Sequence, residues 1–137
     1  IVNFVLEFFE EHIDFGFSGD ISQEIEYEYG FSEIPEGFEL TVKNNEGGTV
    51  YTEYTNKNTG DIIILTQSIT DGNSLSVDNK HGKTTVEQIG KTQVFLYEGI
   101  EQNYVQANWI SETYSLILIY YGDIEKNAFL ELVESIK

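Results

Sequence analysis

A succession of short apolar segments, separated by turns that contain Gly and Asn, constrains the fold more than any other feature of this chain. The segments are rich in Ile, Val, Thr, Tyr and Phe, the residues that favour β-strands. No helical periodicity interrupts the last four segments, so they predict antiparallel strands joined in a meander. The predicted strands are 38–42, 49–55, 61–68, 85–89, 92–98, 104–111 and 113–121.

An alternation of aromatic and acidic residues precedes these segments. Its apolar positions are Ile25, Tyr27, Tyr29 and Phe31, and its acidic positions are Glu24, Glu26 and Glu28. Successive residues of a strand face opposite sides of a sheet. The pattern therefore predicts a strand over 22–31 with one aromatic face and one solvated acidic face.

Apolar residues at helical spacing occur near both ends of the chain. Residues 1–20 are predicted to form an N-terminal amphipathic helix. We interpret it as a helix docked on the sheet. Because its most apolar part lies at Ile1, the alternative is that it is the trailing end of a membrane anchor farther upstream. Near the other end, Asp123 is the expected N-cap of a helix that runs to Lys137. The apolar positions of that helix are Ile124, Ala128, Phe129, Leu132, Val133 and Ile136.

Together these patterns predict a single α+β domain over residues 21–137. We expect a curved antiparallel β-sheet of about six to eight strands, arranged as a meander and packed against N-terminal and C-terminal helices. A chain of 137 residues is long enough to bury one hydrophobic core of this kind.

The net charge excludes several classes of partner. The chain has 24 acidic and 7 basic residues, which gives a formal net charge of −17, and every one of these basic residues is Lys. Nucleic-acid binding needs a cationic surface that displaces counterions from phosphates, so this chain has the wrong sign of charge. An anionic membrane surface is disfavoured for the same reason, which leaves the upstream anchor as the expected membrane contact.

Residues that usually carry catalysis or bind metals are scarce. The sequence has no Cys, and its two His residues, His12 and His81, lie far apart without a carboxylate at ligand spacing. We therefore expect no cofactor, no metal site and no catalytic residues, and we interpret the protein as non-enzymatic. The polar stretch 71–83 predicts an exposed loop or sheet edge, where Asp71 and Asp78 leave weak calcium association open. Paired carboxylates leave a glycoside-type hydrolase as an alternative.

Aromatic residues supply the candidates for a ligand-binding surface. The chain contains nine Tyr, nine Phe and one Trp, and Tyr and Trp combine apolar area with a hydrogen-bonding tip. Tyr27, Tyr29, Trp109 and Tyr114 form the candidate wall of a ligand groove. On alternating strands the same residues also suit a hydrophobic core, so both interpretations stay open.

An ordered set of short motifs resembles a known family. The set consists of Ile34-Pro35-Glu36-Gly37-Phe38, Tyr54 with Asn56, Gly60-Asp61-Ile62-Ile63, Gln67, Val77-Asp78, Gly90, Trp109 followed by Tyr114, and Glu134-Ser135-Ile136-Lys137. In this order, across residues 21–137, it resembles the bacterial domain of unknown function 4367. The family often has an acidic residue shortly after the Asp that matches Asp78, whereas this chain reads Asn79-Lys80-His81.

The resemblance implies a location rather than a reaction. Members typically form the extracytoplasmic part of single-pass membrane proteins in Gram-positive bacteria, and no catalytic residues are established for the domain. We therefore expect an extracytoplasmic domain, tethered to the cell membrane, that senses or binds a protein partner or an envelope ligand. A carrier of small apolar ligands with a pocket between sheet and helix is one alternative, and a carboxylate-pair hydrolase is another.

Overall fold

The computed structural model describes residues 3–8, 12–18, 25–69, 75–78, 82–99 and 103–137. Ten strands and one helix lie within these ranges. The strands are β1 (Asn3–Phe8), β2 (His12–Ser18), β3 (Phe38–Glu46), β4 (Thr49–Asn56), β5 (Ile62–Ile69), β6 (Leu75–Asp78), β7 (Gly82–Ile89), β8 (Thr92–Gly99), β9 (Tyr104–Ser111) and β10 (Tyr114–Tyr121), and the helix is α1 (Lys126–Ser135).

Seven of the strands form one open antiparallel sheet in the order β3-β4-β5-β10-β9-β8-β7. Strands β3 to β5 and strands β7 to β10 each form a meander, and the pairing of β5 with β10 unites the two. β1, β2 and β6 form a separate three-stranded antiparallel sheet. The predicted α+β class with an antiparallel meander is confirmed.

One face of the seven-stranded sheet packs against α1. Strand residues at alternate positions are buried on this face, and the helix contributes Phe129 and Val133. The sheet residues of this core are Tyr54, Ile63, Leu65, Val94, Leu96, Val105, Ala107, Trp109, Leu116, Leu118 and Tyr120. Burying a large apolar side chain stabilises a fold by about 1.5–3 kcal/mol, so this face anchors the domain.

The C-terminal helix is present, but its predicted cap is wrong. The N-cap is Glu125 rather than Asp123, and its side chain makes no capping hydrogen bond. An ion pair between Lys126 and Glu87 instead connects the first turn of α1 to β7. Since Phe129 is fully buried, packing of the apolar stripe stabilises this short helix more than its cap does.

The predicted N-terminal helix is wrong, because residues 3–8 and 12–18 form the antiparallel strands β1 and β2. The sequence of β2, His-Ile-Asp-Phe-Gly-Phe-Ser, alternates polar or small residues with apolar ones and so has the period of a strand. Phe and Ile also favour strands, and a Gly inside a helix is destabilising. The apolar spacing near residue 1 fits both periods, and strand pairing decides between them.

The predicted strand over 22–31 is also wrong for its described part. Residues 25–30 join no sheet, and Phe31 pairs with Ile136 as an isolated antiparallel bridge. This segment lies across the α1 side of the sheet, where Tyr29 and Phe31 pack against the core.

Most of the predicted loop 71–83 lies outside the described residues, together with the possible calcium ligand Asp71. The described part differs from the prediction, because residues 75–78 form β6 and β7 begins at Gly82. Asp78 therefore belongs to a strand, paired with His12 of β2.

Candidate functional site

An open groove lies between residues 32–36 and α1. Its volume is ≈ 610 Å³. Its apolar lining residues are Ile34, Pro35, Phe38, Tyr120, Ile124, Ala128 and Leu132. We call this surface the α1 groove, and its size falls within the range of roughly 300–1,000 Å³ that small-molecule pockets occupy.

Backbone pairing attaches one wall of the α1 groove to the end of the helix. Gly30 and Lys137 exchange two hydrogen bonds, with N···O distances of 3.2 and 3.0 Å. Between them, Phe31 forms the antiparallel bridge with Ile136. Because these bonds join residues 30–31 to residues 136–137, which directly follow α1, residues 32–36 are held beside the helix.

A tight turn shapes the same wall. The Phe38 N–H donates to the carbonyl of Pro35 at 3.0 Å, and the pyrrolidine ring fixes φ at Pro35. Gly37 has φ 86°, and a Cβ at this position would overlap the side chain of Asn56. Gly is therefore required on both conformational and steric grounds, and the turn leaves Ile34 45% exposed beside the groove.

Tyr120 lines the floor of the α1 groove, and Asp61 holds its hydroxyl group. The Tyr120 hydroxyl donates to Oδ2 of Asp61 at 2.5 Å. Burial raises the pKa of the Tyr120 phenol well above its ordinary value of 10.0, and the negative charges of Asp61 and Asp123 act in the same direction. Tyr120 is therefore a neutral donor near neutral pH. Gly122 leaves room for this contact, because a Cβ there would overlap the Asp61 carboxylate.

Carboxylates surround the α1 groove. Glu33, Glu36 and Glu131 are exposed and line it, and no Lys is among its described lining residues. The whole chain carries a net charge of −17. The apolar surface therefore lies in a negative potential, which favours cationic over anionic ligands.

Three of the four residues predicted to bind a ligand lie together, away from this groove. The ring centroids of Tyr27 and Tyr29 are 5.0 Å apart, and those of Tyr29 and Tyr114 are 6.0 Å apart, both edge to face. The Tyr114 hydroxyl accepts from the Glu26 N–H at 2.9 Å. Trp109 is buried in the core on the same face of the sheet. None of the four is among the described lining residues of the α1 groove.

Gln67 positions the tyrosines, a role that the sequence analysis did not identify. Its Nε2 donates to the carbonyl of Tyr27 at 2.7 Å, and its Oε1 accepts from the Tyr29 N–H at 2.8 Å. The side-chain amide thus makes the two hydrogen bonds that a neighbouring strand would make. Gln67 is 1% exposed. Buried amides are normally hydrogen-bonded, so an isolated Gln in the apolar sequence of β5 was the feature that could have indicated this role.

The residues that line the α1 groove were also missed as a site. Ala128 and Leu132 lie four residues apart on α1, beside the stripe that Phe129 and Val133 direct to the core, and Ile124 immediately precedes the N-cap Glu125. A helix with one buried face needs a narrower apolar stripe than this. The extra width was the available signal of a second apolar surface.

The fold and the α1 groove define a class of protein: a small α+β domain with an open antiparallel sheet and an apolar groove bordered by carboxylates. A family model described as Domain of unknown function (DUF4367) matches residues 28–136, and the chain belongs to that family. The resemblance predicted from the short motifs is thus confirmed. No curated protein sequence and no solved structure matches the chain.

Two kinds of structural element are absent from the described residues. No group of three or more His, Cys, Asp or Glu residues among them is arranged to hold a metal ion. Within the same ranges, no helix is both long enough and apolar enough to cross a membrane.

The two hydrogen bonds from the Gln67 amide to Tyr27 and Tyr29, which we call the Gln67 clamp, predict a loss of stability in the Gln67→Leu variant. Leu retains the apolar volume but leaves the Tyr29 N–H and the Tyr27 carbonyl without their partner, so we expect the free energy of unfolding to fall by about 2–4 kcal/mol. Urea denaturation measures this change. Gln88→Leu is the matched control, because the Gln88 amide donates to the Gly90 carbonyl at an exposed site. Equal, small effects of both substitutions would contradict the clamp.

The floor of the groove predicts a pH dependence above about pH 10. The unfolded state releases the Tyr120 proton there while the folded state retains it, so stability decreases with rising pH, by at most about 1.4 kcal/mol per pH unit. Below about pH 10 Tyr120 is protonated in both the folded and the unfolded state, so the stabilisation from its hydrogen bond to Asp61 is fully present. The stability difference between the wild type and Tyr120→Phe should therefore shrink above about pH 10 in urea denaturation series. Tyr27→Phe controls for loss of an exposed tyrosine, and a difference that stays constant with pH rejects the prediction.

Proposed function

We propose that this protein is a non-catalytic, extracytoplasmic interaction domain, tethered to the cell membrane through its N-terminal side. Its α1 groove binds an apolar segment of a partner protein that carries Lys or Arg. The observation that carries this proposal is the combination of ≈ 610 Å³ of open volume with an apolar lining and three Glu residues at the margin.

The chemistry of the groove favours recognition over reaction. Ile34, Ala128 and Leu132 offer apolar contact area, and burying such area drives most protein association. Glu33 and Glu131 lie at the margin, where charge selects partners and speeds their encounter more than it adds affinity. The polar floor is engaged in the structural hydrogen bond from Tyr120 to Asp61.

Carriage of a small apolar ligand is the second candidate function. It is supported by the volume of the groove, which is large enough for a ligand of drug size. The openness of the groove to solvent along α1 suits an extended peptide better than an enclosed ligand. The carboxylate-pair hydrolase stays a prediction without a structural observation in its favour.

Peptide binding to the full chain tests the proposal. A short synthetic peptide that alternates Leu and Lys should bind and should perturb the NMR signals of Ile34, Ala128 and Leu132. Ile34→Ser should weaken this binding at least tenfold, because a buried Ile contact contributes roughly 1.5–3 kcal/mol and each 1.4 kcal/mol is a factor of about ten in affinity. Glu131→Lys should weaken it as well, most clearly at low ionic strength.

Val86→Ser is the matched control, because Val86 is 48% exposed and lies outside the groove, compared with 45% for Ile34. A peptide in which Glu replaces Lys should not bind. Equal affinities of wild type, Ile34→Ser and Val86→Ser would reduce the interaction to general attraction by the acidic surface and would overturn the proposal. Binding of a linear alkyl alcohol in place of the peptide would favour the carrier.

The proposed location has its own test. The acidic surface keeps the domain away from anionic lipid, which suits a domain held beside a membrane by a separate anchor. In intact cells that express the full-length protein, external protease should digest this domain. Complete protection, with digestion after lysis as the control, would exclude an extracytoplasmic location.

A further inference from the structure

We infer that the three-stranded sheet of β1, β2 and β6 covers the second face of the seven-stranded sheet, the face opposite α1. We call these the small sheet and the second face. The second face consists of the strand positions that alternate with those of the α1 core. Its central apolar residues are Ile62, Ile64, Phe95, Tyr97, Ile117 and Ile119.

Burial on the second face indicates that something covers it. Phe95 and Tyr97 are 4% and 2% exposed, although neither belongs to the core cluster around α1. Their neighbours Val94 and Leu96 do belong to that cluster, as the alternation along β8 requires. Ser115 is buried too, at the position paired with Ile110. The part of the second face around these three residues is therefore covered, while Ile62, Ile64, Ile117 and Ile119 are half-buried.

The strand register gives the small sheet one apolar face. Residues that pair directly in antiparallel strands lie on the same face of a sheet. The direct pairs are Phe4 with Phe17, Leu6 with Phe15, Phe8 with Ile13, Ile13 with Val77, and Phe15 with Leu75. The adjacent pair Glu7 with Asp14 lies on the other face. A face with so many aromatic and aliphatic positions requires burial.

The link between β5 and β7, which contains β6, is long enough to let the small sheet lie over the second face. Three strands separate β5 from β7, and the chain leaves β5 beside Tyr114 but enters β7 at the opposite end, beside Gly99. A diagonal path across four strand spacings and one strand length is about 30 Å. The link between β5 and β7 can span at most about 45 Å when extended, so this connection, with β6 inside it, is long enough to cross the sheet.

The opposite side of the sheet, which faces α1, is already covered. On the α1 side, the helix packs on the sheet, and Tyr29 and Phe31 of the preceding segment pack against the same core. A connection over that side would have to displace them. On the second face, by contrast, the apolar face of the small sheet would meet an apolar surface, so each would cover the other.

A single engineered thiol tests this arrangement in the full chain, because the chain contains no Cys. Ser115→Cys places the thiol at a buried position of the second face with little change in volume. We expect slow modification by a maleimide in the otherwise unchanged protein. Adding Leu6→Asp and Phe15→Asp, which charge one direct pair of the apolar face, should accelerate modification at least tenfold, since local opening controls access.

The matched control adds Glu7→Gln and Asp14→Asn, the neighbouring direct pair on the other face, and should leave the rate unchanged. Trp109 fluorescence reports whether the α1 core stays folded. Acceleration confined to the Leu6 and Phe15 variant supports the inference. Equal rates of modification in all three proteins overturn it. The inference also fails if the thiol at position 115 loses its protection when a dimer is diluted to a monomer, because a second copy of the chain would then be what covers the second face.

If the charged variant loses its core, single thiols in the small sheet decide the question. Phe15→Cys should react at least tenfold more slowly than Asp14→Cys, because position 15 lies on the covered face. Equal reactivity at the two positions would overturn the inference.

Discussion

The antiparallel pairing of β5 with β10 is the interaction on which the rest of the structure depends. It joins the meander of β3 to β5 and the meander of β7 to β10 into one sheet, with a continuous register from Ile62 opposite Tyr121 to Ile69 opposite Tyr114. The same pairing brings Tyr120 beside Asp61 and so builds the floor of the α1 groove. Both strands are interior strands of the sheet, and both contribute buried side chains to the core against α1, so the two meanders share one core.

The strands of the main sheet were predictable because each is bounded by turn residues and has the composition of a strand. β4, β5, β8 and β9 lie within one or two residues of their predicted bounds. The N-terminal segment was not predictable, since its apolar spacing fits a helix as well as a strand and the choice depends on pairing. The aromatic segment before β3 alternates like a strand, but the side chain of Gln67 takes the place of a partner strand.

The candidate site was less accessible to sequence reasoning than the fold. The α1 groove combines residues 32–36, Tyr120 and one side of α1, which become neighbours through the bridge between Phe31 and Ile136. The motifs that carry the family resemblance prove to be structural: Gly37 packs on Asn56, and Asp61 accepts from Tyr120. Their spacing along the sequence reveals the turns and contacts of the fold, and it does not reveal the surface those contacts shape.

The exchange of hydrogen bonds between Gly30 and Lys137 has a mechanical consequence. Tension in the chain on the N-terminal side of Glu26 would first load the hydrogen bonds that join residues 26–29 to Gln67 and Tyr114 of the main sheet. It would reach the residues that end α1 once those hydrogen bonds had opened. The pairing of Gly30 with Lys137 consists of few hydrogen bonds and adjoins residues 32–36, which form one wall of the α1 groove, so it would open before the longer strand pairings of the sheet. A load of this kind would change the shape of the groove while the pairing of β5 with β10 remained intact.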